Sequence, residues 1–349
     1  MTPFALPRFV LTSHVEEHTG RPATVVYGDI FEQVALADAA GFDALWLAEH
    51  HFGAQEGLVS QPVLVALAAA LRNSRIKAGT SLIVLPLHHP LAVAEQLATL
   101  SVLLGDRLSI GFGSGSAPFE FAGFGVSFDG PVRHARFREA LAIIERAWTG
   151  EPFSHESEHF PIGEVRLVPR PTLPLRDVAW IGAMSEATAA VAGEFGYGLQ
   201  LPRGIAAADY GGVLGAYRSA LRATWGPDAR ERVAIARCIY VGEDDASAIA
   251  EVGPTIQRFW GQSKRAVKGE PLPSVPDLID RLHFIVGGPE RCAREIAALQ
   301  QATGLSHLSV QPTWIGMTPE MSLNSLRRFG EGVIPRLREL ATAGQLAAD

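Results

Sequence analysis

Residues 41–52 read Gly-Phe-Asp-Ala-Leu-Trp-Leu-Ala-Glu-His-His-Phe, a helix end followed by a buried strand and a polar strand end. Gly41 is typical of the residue that ends an α-helix. Residues 43–48 form a short, almost wholly apolar run, which predicts a strand buried on both faces of a parallel sheet. Glu49, His50 and His51 then stand at the carboxyl end of that strand, where α/β proteins bind their ligands.

The same alternation of strand and helix patterns extends along nearly the whole chain. Further strand patterns occupy residues 8–12, 76–85, 107–112, 178–181, 197–201, 233–241 and 305–310, with helical patterns between them. Alternation of this kind predicts a parallel sheet, and about eight strand–helix units fit a closed (β/α)8 TIM barrel. A doubly wound open sheet is the structural alternative. We expect residues 1–349 to form one domain.

Two segments are longer than ordinary connections. Residues 151–174 are rich in proline and histidine, and we expect a small β-hairpin there. Residues 253–280 contain four prolines and a basic group at Lys264, Arg265 and Lys268, and they interrupt the seventh unit. This second insertion is either a solvated loop or a mobile lid over the active site.

Composition excludes several classes of protein. The 349 residues carry a formal net charge of -7, which argues against general binding of nucleic acid or anionic membranes. The two cysteines, Cys238 and Cys292, suggest neither a disulfide framework nor a zinc site. The longest apolar run has nine residues, 63–71, about half of a membrane span, and the first residues do not resemble a secretory signal. We therefore expect a cytoplasmic protein.

Alternation along a strand predicts that Glu49 and His51 share a side and that His50 points away from them. One interpretation is a hydrogen-bonded pair that braces the barrel top. A metal site is disfavoured because adjacent strand residues diverge, so we predict no metal. The third interpretation is acid–base chemistry, which histidine suits near neutral pH.

Two glycine-containing turns also follow strands. Residues 111–116, Gly-Phe-Gly-Ser-Gly-Ser, would let the backbone approach a flat or phosphorylated ligand, although the spacing matches neither the dinucleotide fingerprint nor a P-loop. Residues 182–188, Gly-Ala-Met-Ser-Glu-Ala-Thr, begin a helix whose free N–H groups could hold a phosphate, with Ser185 and Thr188 in its first turn. A plain helix cap is the alternative for Ser185. Arg136 could supply a matching positive charge.

Taken in order, these motifs resemble the bacterial-luciferase-like flavin-dependent monooxygenase family over roughly residues 7–340. The most specific are the stretch 41–52 and His89-Pro90 with Ala94-Glu95. Residues 105–113, Gly-Asp-Arg-Leu-Ser-Ile-Gly-Phe-Gly, and the late turn Gly287-Gly288-Pro289-Glu290 add to the resemblance.

The resemblance implies a barrel that binds FMN at the carboxyl ends of its strands. His50 falls on the family's active-site histidine, and Glu49 is the neighbour expected to orient it. Ser81-Leu82 falls where the family often has a non-prolyl cis peptide bond against the flavin. The remaining positions that fall on flavin or phosphate contacts are Gly113, Ser114, Ser116, Arg136, Gly182, Ala183, Ser185 and Thr188.

The chain also departs from luciferases, which have Arg, Glu and Cys where Ser114, Met184 and Gly113 stand. These departures argue against light emission and favour loosely held FMN that acts as a co-substrate. The resemblance thus implies an FMN-dependent monooxygenase acting with dioxygen on a small organic substrate. It further implies a separate flavin reductase as partner and a homodimer. The alternatives are a deazaflavin-dependent hydride-transfer oxidoreductase and a flavin-binding barrel without catalysis.

Overall fold

The computed structural model describes residues 4–13, 21–52, 59–73, 75–263 and 271–346. Eight parallel strands close into a barrel and follow one another around it in chain order. They are β1 (Arg8–Ser13), β2 (Ala44–Leu47), β3 (Lys77–Thr80), β4 (Leu108–Gly113), β5 (Ala179–Gly182), β6 (Gly198–Leu201), β7 (Val233–Val241) and β8 (His307–Gln311).

The ring of strand pairings is complete. Arg8 of β1 is paired with His307 of β8, and Gln200 of β6 with Ala234 of β7, so neither end of the sheet is left open. The predicted (β/α)8 barrel is therefore confirmed, and the open doubly wound sheet is excluded.

Helices cover the outside of the barrel. The principal ones are α1 (Ala23–Ala40), α2 (Pro62–Arg72), α3 (Pro90–Leu104), α4 (Gly130–Trp148), α5 (Glu186–Glu194), α6 (Gly211–Trp225), α7 (Pro289–Thr303) and α8 (Pro319–Arg328). Shorter or additional helices are Pro118–Gly123, Leu175–Val178, Asp245–Gln262, Val275–Leu282 and Ile334–Leu346, with a π-helical turn at Phe329–Val333. Within the described ranges, no helix combines the length and apolar character that a membrane crossing needs.

The first insertion contains the predicted hairpin, whose antiparallel strands are Phe153–His155 and Ile162–Val165. The second insertion begins later than residue 253, because helix Asp245–Gln262, which the helical pattern of residues 246–260 predicts, continues through Pro254. Val252, Ile256 and Trp260 are buried at helical spacing on both sides of Pro254, and their packing outweighs the cost of the proline. Residues 264–270, with the basic group, lie outside the described residues.

Strand boundaries differ from the sequence expectation at two places. The run 76–85 is not one strand, since β3 ends at Thr80 and a two-residue strand, Ile83–Val84, follows Ser81-Leu82 before a 3-10 turn. Val178 belongs to a helical turn rather than to β5. The first difference lies at the carboxyl end of β3, next to the barrel mouth, and the second lies at the amino end of β5.

Inward-facing side chains divide the barrel interior into two layers. Near the amino ends of the strands, Trp46 and Trp180 pack edge to face with ring centroids 5.1 Å apart, and His307 packs against Trp180 at 4.7 Å. The indole N–H of Trp46 donates to Ser109 Oγ at 2.9 Å. These large rings fill the lower part of the barrel, so only its upper end is left for a ligand.

Candidate active site

Side chains from consecutive strands converge at the upper rim of the barrel. Glu49, His50 and His51 follow β2, Ser81 and Leu82 follow β3, and Gly113 and Gly182 are the last residues of β4 and β5. Parallel strands β2, β3, β4 and β5 are neighbours in the barrel. The sequence-predicted positions on these strands therefore share one end of the molecule.

Glu49 is the centre of a buried hydrogen-bond group. Its Oε1 accepts from His51 Nε2 at 2.7 Å and from His88 Nε2 at 2.6 Å, and its Oε2 accepts from the backbone N–H of Val84 at 3.1 Å. The bond to His51 confirms that these two side chains share a side. Burial alone would raise the pKa of Glu49, but the hydrogen bonds from His51 and His88 outweigh it and lower that pKa.

His50 is held by a different carboxylate. Its Nδ1 lies 3.2 Å from Glu120 Oε1, and the same oxygen accepts from the backbone N–H of His51 at 2.9 Å. The expectation that Glu49 orients His50 was therefore wrong, because Glu49 faces His51 on the other side of the alternating strand end. A nitrogen that donates to Glu120 leaves the acceptor lone pair of a neutral imidazole on Nε2.

Glu120 was missed by the sequence analysis. It is buried in the short helix Pro118–Gly123, which follows the glycine-rich loop after β4. Its only local signal is an acidic residue in the first turn of a short helix, and that pattern is common at helix starts. Its pairing with His50 spans 70 residues and depends on the closed barrel.

Glu49, His51 and His88 also have the spacing of a possible metal site, since one ligand atom from each lies within 4.8 Å of the others. Sequence spacing indicated only the adjacent residues 49–51 as possible ligands, and His88 is not one of them. In this geometry both imidazoles direct Nε2 at one carboxylate oxygen, which satisfies that oxygen without a cation. We assign the group as a hydrogen-bond triad.

The peptide bond Ser81-Leu82 is cis, as the family resemblance implied. The Leu82 side chain lies against three glycines, Gly111, Gly113 and Gly182, at whose positions a Cβ would come within 2.2–2.9 Å of a Leu82 methyl group. Side chains on these strands would displace Leu82 from the rim. Leu82 and its glycines thus form a flat apolar surface, here called the Leu82 cradle, of the kind that a ring system can lie on.

Ser81 has a partner across the barrel. Its Oγ donates to Gln200 Oε1 at 2.8 Å, whereas Gln200 Nε2 is buried and has no partner within the described part of the chain. An orphaned amide beside an apolar cradle fits a ligand that is both flat and polar along one edge, which describes the ring of a flavin.

The start of α5 is a capped helix N-terminus. Ser185 Oγ accepts from the backbone N–H of Thr188 at 3.3 Å and lies 3.1 Å from Thr188 Oγ1. Gly182 and Ala183 lead into this turn, and Met184 is exposed. Ser185 therefore acts as an N-cap in the free protein, and the hydroxyls and N–H groups of this turn are the ones available to a phosphate.

Arg136 lies against Phe160, and its buried Nε has no partner among the described residues. Its guanidinium carbon lies 4.6 Å from the centre of the Phe160 ring, and its Nη2 is 3.4 Å from the carbonyl of Pro86, on the α3 side of α4. In the same helix, Arg133 lies over Phe128 at 4.3 Å and has a buried Nε with no partner among the described residues. Burial lowers the pKa of Arg133. Arg133 is thus a second cation near the rim that the sequence analysis missed.

The loop after β4 completes the rim. Ser114 is half-buried and Ser116 is exposed, and both precede the helix that carries Glu120. The structure thus brings Ser114, Ser116, Leu82 and the His50–Glu120 pair to one end of the barrel.

Comparison with known proteins gives consistent matches. A family model described as luciferase-like monooxygenase matches residues 8–307. The chain is 30% identical over 314 residues to 4-hydroxyprotoasukamycin monooxygenase of Streptomyces nodosus subsp. asukaensis, covering 81% of this chain and 79% of that protein. The crystal structure of monooxygenase RslO1 from Streptomyces bottropensis superposes with a TM-score of 0.83 at 26% identity, covering 94% of this chain and 99% of that one.

Two further relatives differ in cofactor. The oxygenase component of a flavin-dependent trigonelline monooxygenase from Acinetobacter baylyi is 24% identical over 258 residues, covering 73% of this chain and 71% of that protein. An F420-dependent glucose-6-phosphate dehydrogenase from Beutenbergia cavernae is 33% identical over 177 residues, covering 49% of this chain and 51% of that protein.

Proposed function

Because the chain belongs to the luciferase-like monooxygenase family, we propose that it is an FMN-dependent monooxygenase, which uses reduced FMN and dioxygen to oxidise a small organic substrate. The observation that carries this proposal is the convergence at one rim of the His50–Glu120 pair, the Leu82 cradle and the capped start of α5. These three features supply a proton-transfer group, an apolar support and an anion-binding turn.

Residues of the rim would hold the cofactor in distinct ways. Leu82, Gly113 and Gly182 would support the ring system, and Ser185 and Thr188 would receive the phosphate. Bound reduced FMN supplies the electrons that activate dioxygen. Ser114 stands where luciferases have an arginine, which supports loose binding of FMN as a co-substrate.

His50 is the residue that would move a proton. Glu120 holds the imidazole through Nδ1 and also accepts from the backbone N–H of His51, so the ring would be presented to a ligand in a fixed orientation. Glu49 acts at a distance from the ligand by holding His51 and His88. The packed rings of Trp46 and Trp180 beneath the rim would help to keep water from reaching the site from below.

The proposal is tested with photoreduced FMN and no substrate. Protein and reduced FMN are mixed with air-saturated buffer, and flavin absorbance and hydrogen peroxide are followed together. We expect the wild type to change the course of reoxidation relative to free FMN, and His50→Ala to release peroxide at least about tenfold faster than the wild type. If the wild type and free FMN reoxidise identically, the proposal is wrong.

A matched control is available in His155, which also pairs with a glutamate, Glu139, at 3.0 Å but lies on the hairpin. His155→Ala should behave like the wild type in this assay. A flavin reductase added with a reduced nicotinamide cofactor should then sustain turnover. The oxygenase component from Acinetobacter baylyi, named as one part of a multicomponent enzyme, favours such a separate reductase.

The second candidate is a deazaflavin-dependent oxidoreductase, which is favoured by the match to an F420-dependent dehydrogenase over half of the chain. Equilibrium dialysis against FMN and against F420, each followed by absorbance, separates the two. Preference for FMN by more than about tenfold supports the monooxygenase. Preference for F420, with no effect of dioxygen on turnover, supports hydride transfer.

The family resemblance also leads us to propose a homodimer. Helices α2 and α3 have a groove between them that is lined in part by Leu64 and Leu103. Leu71 and Val102, on the same two helices, are also exposed. An apolar surface of this kind on a barrel's outer face is suited to contact with a second copy of the chain.

A further inference from the structure

Gln200 is a buried polar residue that no step proposed so far uses. It lies one residue before the end of β6, faces the barrel interior and is 7% exposed. Ser81 donates to its Oε1 at 2.8 Å, while its Nε2 has no hydrogen-bond partner in the part of the chain that is described. A buried amide nitrogen without a partner is destabilising, and such groups are rare in folded proteins.

Exchanging the positions of the nitrogen and oxygen of the Gln200 amide still leaves one buried polar atom without a partner. With the nitrogen towards Ser81, the amide would donate to Ser81 Oγ, and the carbonyl oxygen would then take the buried position without a partner. In either orientation one of the two terminal atoms is left for a group outside the protein. The Ser81 hydroxyl adapts to both cases because it can donate or accept.

The surroundings place this amide at the ligand end of the barrel. A Cβ on Gly111 would lie 3.1 Å from Gln200 Nε2, so the glycine leaves the amide uncovered by a side chain on that side. The same glycine borders Leu82, whose methyl group would lie 2.9 Å from that Cβ. The orphaned polar atom and the apolar cradle are therefore parts of one surface.

Building on the proposed function, we propose that Gln200 hydrogen-bonds the polar pyrimidine edge of the bound flavin ring and that Ser81 fixes the amide for this contact. That edge carries two carbonyl oxygens and one N–H group, so it can satisfy either terminal atom of the amide. Ring support by Leu82 and edge recognition by Gln200 would then act on the same ligand. Gln200 is a binding residue in this assignment, and Ser81 is a positioning residue.

The proposal predicts opposite effects on binding and on the free protein. Gln200→Leu removes a bond to the ligand, so we expect the dissociation constant for oxidised FMN to rise about tenfold. The same variant removes an unsatisfied buried amide from the free protein, so its unfolding temperature should be unchanged or higher. A purely structural role for Gln200 would instead lower the unfolding temperature.

The experiment measures FMN affinity by quenching of flavin fluorescence, together with the flavin absorption spectrum and thermal unfolding with and without FMN. Gln33→Leu is the matched control, because Gln33 is also buried with an orphaned Oε1 but lies in α1. We expect Gln200→Leu to weaken binding, to lose the bound-state shift of the absorption bands and to reduce the FMN-induced rise in unfolding temperature. Gln33→Leu should do none of these.

A second variant covers the case in which leucine disrupts folding. Gln200→Asn keeps the amide but withdraws it by one methylene, and it should also weaken FMN binding. The inference is overturned if wild type binds FMN and either folded variant binds it equally tightly with an unchanged spectrum. If wild type binds neither oxidised nor photoreduced FMN, the proposed function fails as well, and the two failures are thereby distinguished.

Discussion

The Glu49 carboxylate accepts three hydrogen bonds, so we expect its removal to lower the free energy of unfolding. Glu49→Ala leaves His51, His88 and the N–H of Val84 without their acceptor, so we expect a loss of about 3 kcal/mol in the free energy of unfolding. Urea unfolding measures it. The control is Glu151→Ala, which breaks an exposed pair with Arg170 and should cost less than about 1 kcal/mol. Equal losses in both variants would contradict this account.

His307 makes the protein sensitive to acid. Burial, and secondarily the nearby charges of Arg8, Arg232, Arg230 and Lys77, lower its pKa to about 3 from 6.5. Between these values the unfolded chain binds a proton that the folded protein does not, so this group reduces stability as pH falls below 6.5. Its slope approaches about 1.4 kcal/mol per pH unit.

Replacing His307 by glutamine should therefore flatten the pH dependence. Urea unfolding of wild type and His307→Gln between pH 7 and about pH 4.5 should give a smaller loss of stability in the variant, whatever its stability at pH 7. His159→Gln, on the hairpin segment, serves as the control and should run parallel to wild type. Parallel curves for His307→Gln and wild type would refute the assignment.

At the scale of elements, β3 and β4 approach each other unusually closely at one residue. A Cβ on Gly79 would lie 1.6 Å from the carbonyl oxygen of Ser109, a backbone atom that cannot move aside. We expect Gly79→Ala to yield no soluble barrel, or to lose more than about 3 kcal/mol in unfolding free energy. Gly163→Ala, in a strand where no atom lies within 4 Å of the added carbon, should fold normally. Soluble expression and urea unfolding decide between these outcomes.

The regular elements were predictable because strand and helix patterns depend on local apolar periodicity. The apolar spacing of residues 246–260 predicts helix Asp245–Gln262 correctly, but the prolines from Pro254 onward place the start of the second insertion too early. The packing of Ile256 and Trp260, which outweighs the cost of Pro254, is tertiary. The pairing of Glu49 with His51 followed from strand alternation. The contacts of His50 with Glu120 and of Ser81 with Gln200 join residues 70 and 119 positions apart, so no local pattern could indicate them.

At the scale of the whole molecule, the outer face formed by α2 and α3 predicts self-association. Leu64 and Leu103 are 63% and 57% exposed, and the double variant Leu64→Asp/Leu103→Asp should convert a dimer into a monomer. Light scattering after gel filtration measures the mass. Leu272→Asp, at a residue 54% exposed elsewhere, is the control and should leave the dimer intact. A monomeric wild type would overturn the prediction.

The aromatic rings that pack across the lower barrel affect how ligands reach and leave the site. Because Trp46, Trp180 and His307 pack together in the lower barrel interior, we expect a molecule that enters at the rim to leave by the same opening. Cofactor, dioxygen, substrate and product would then all pass through the opening at the rim. The molecule that binds first would therefore determine which molecule can bind next. Departure of the oxidised product thereby becomes a precondition for the next catalytic cycle.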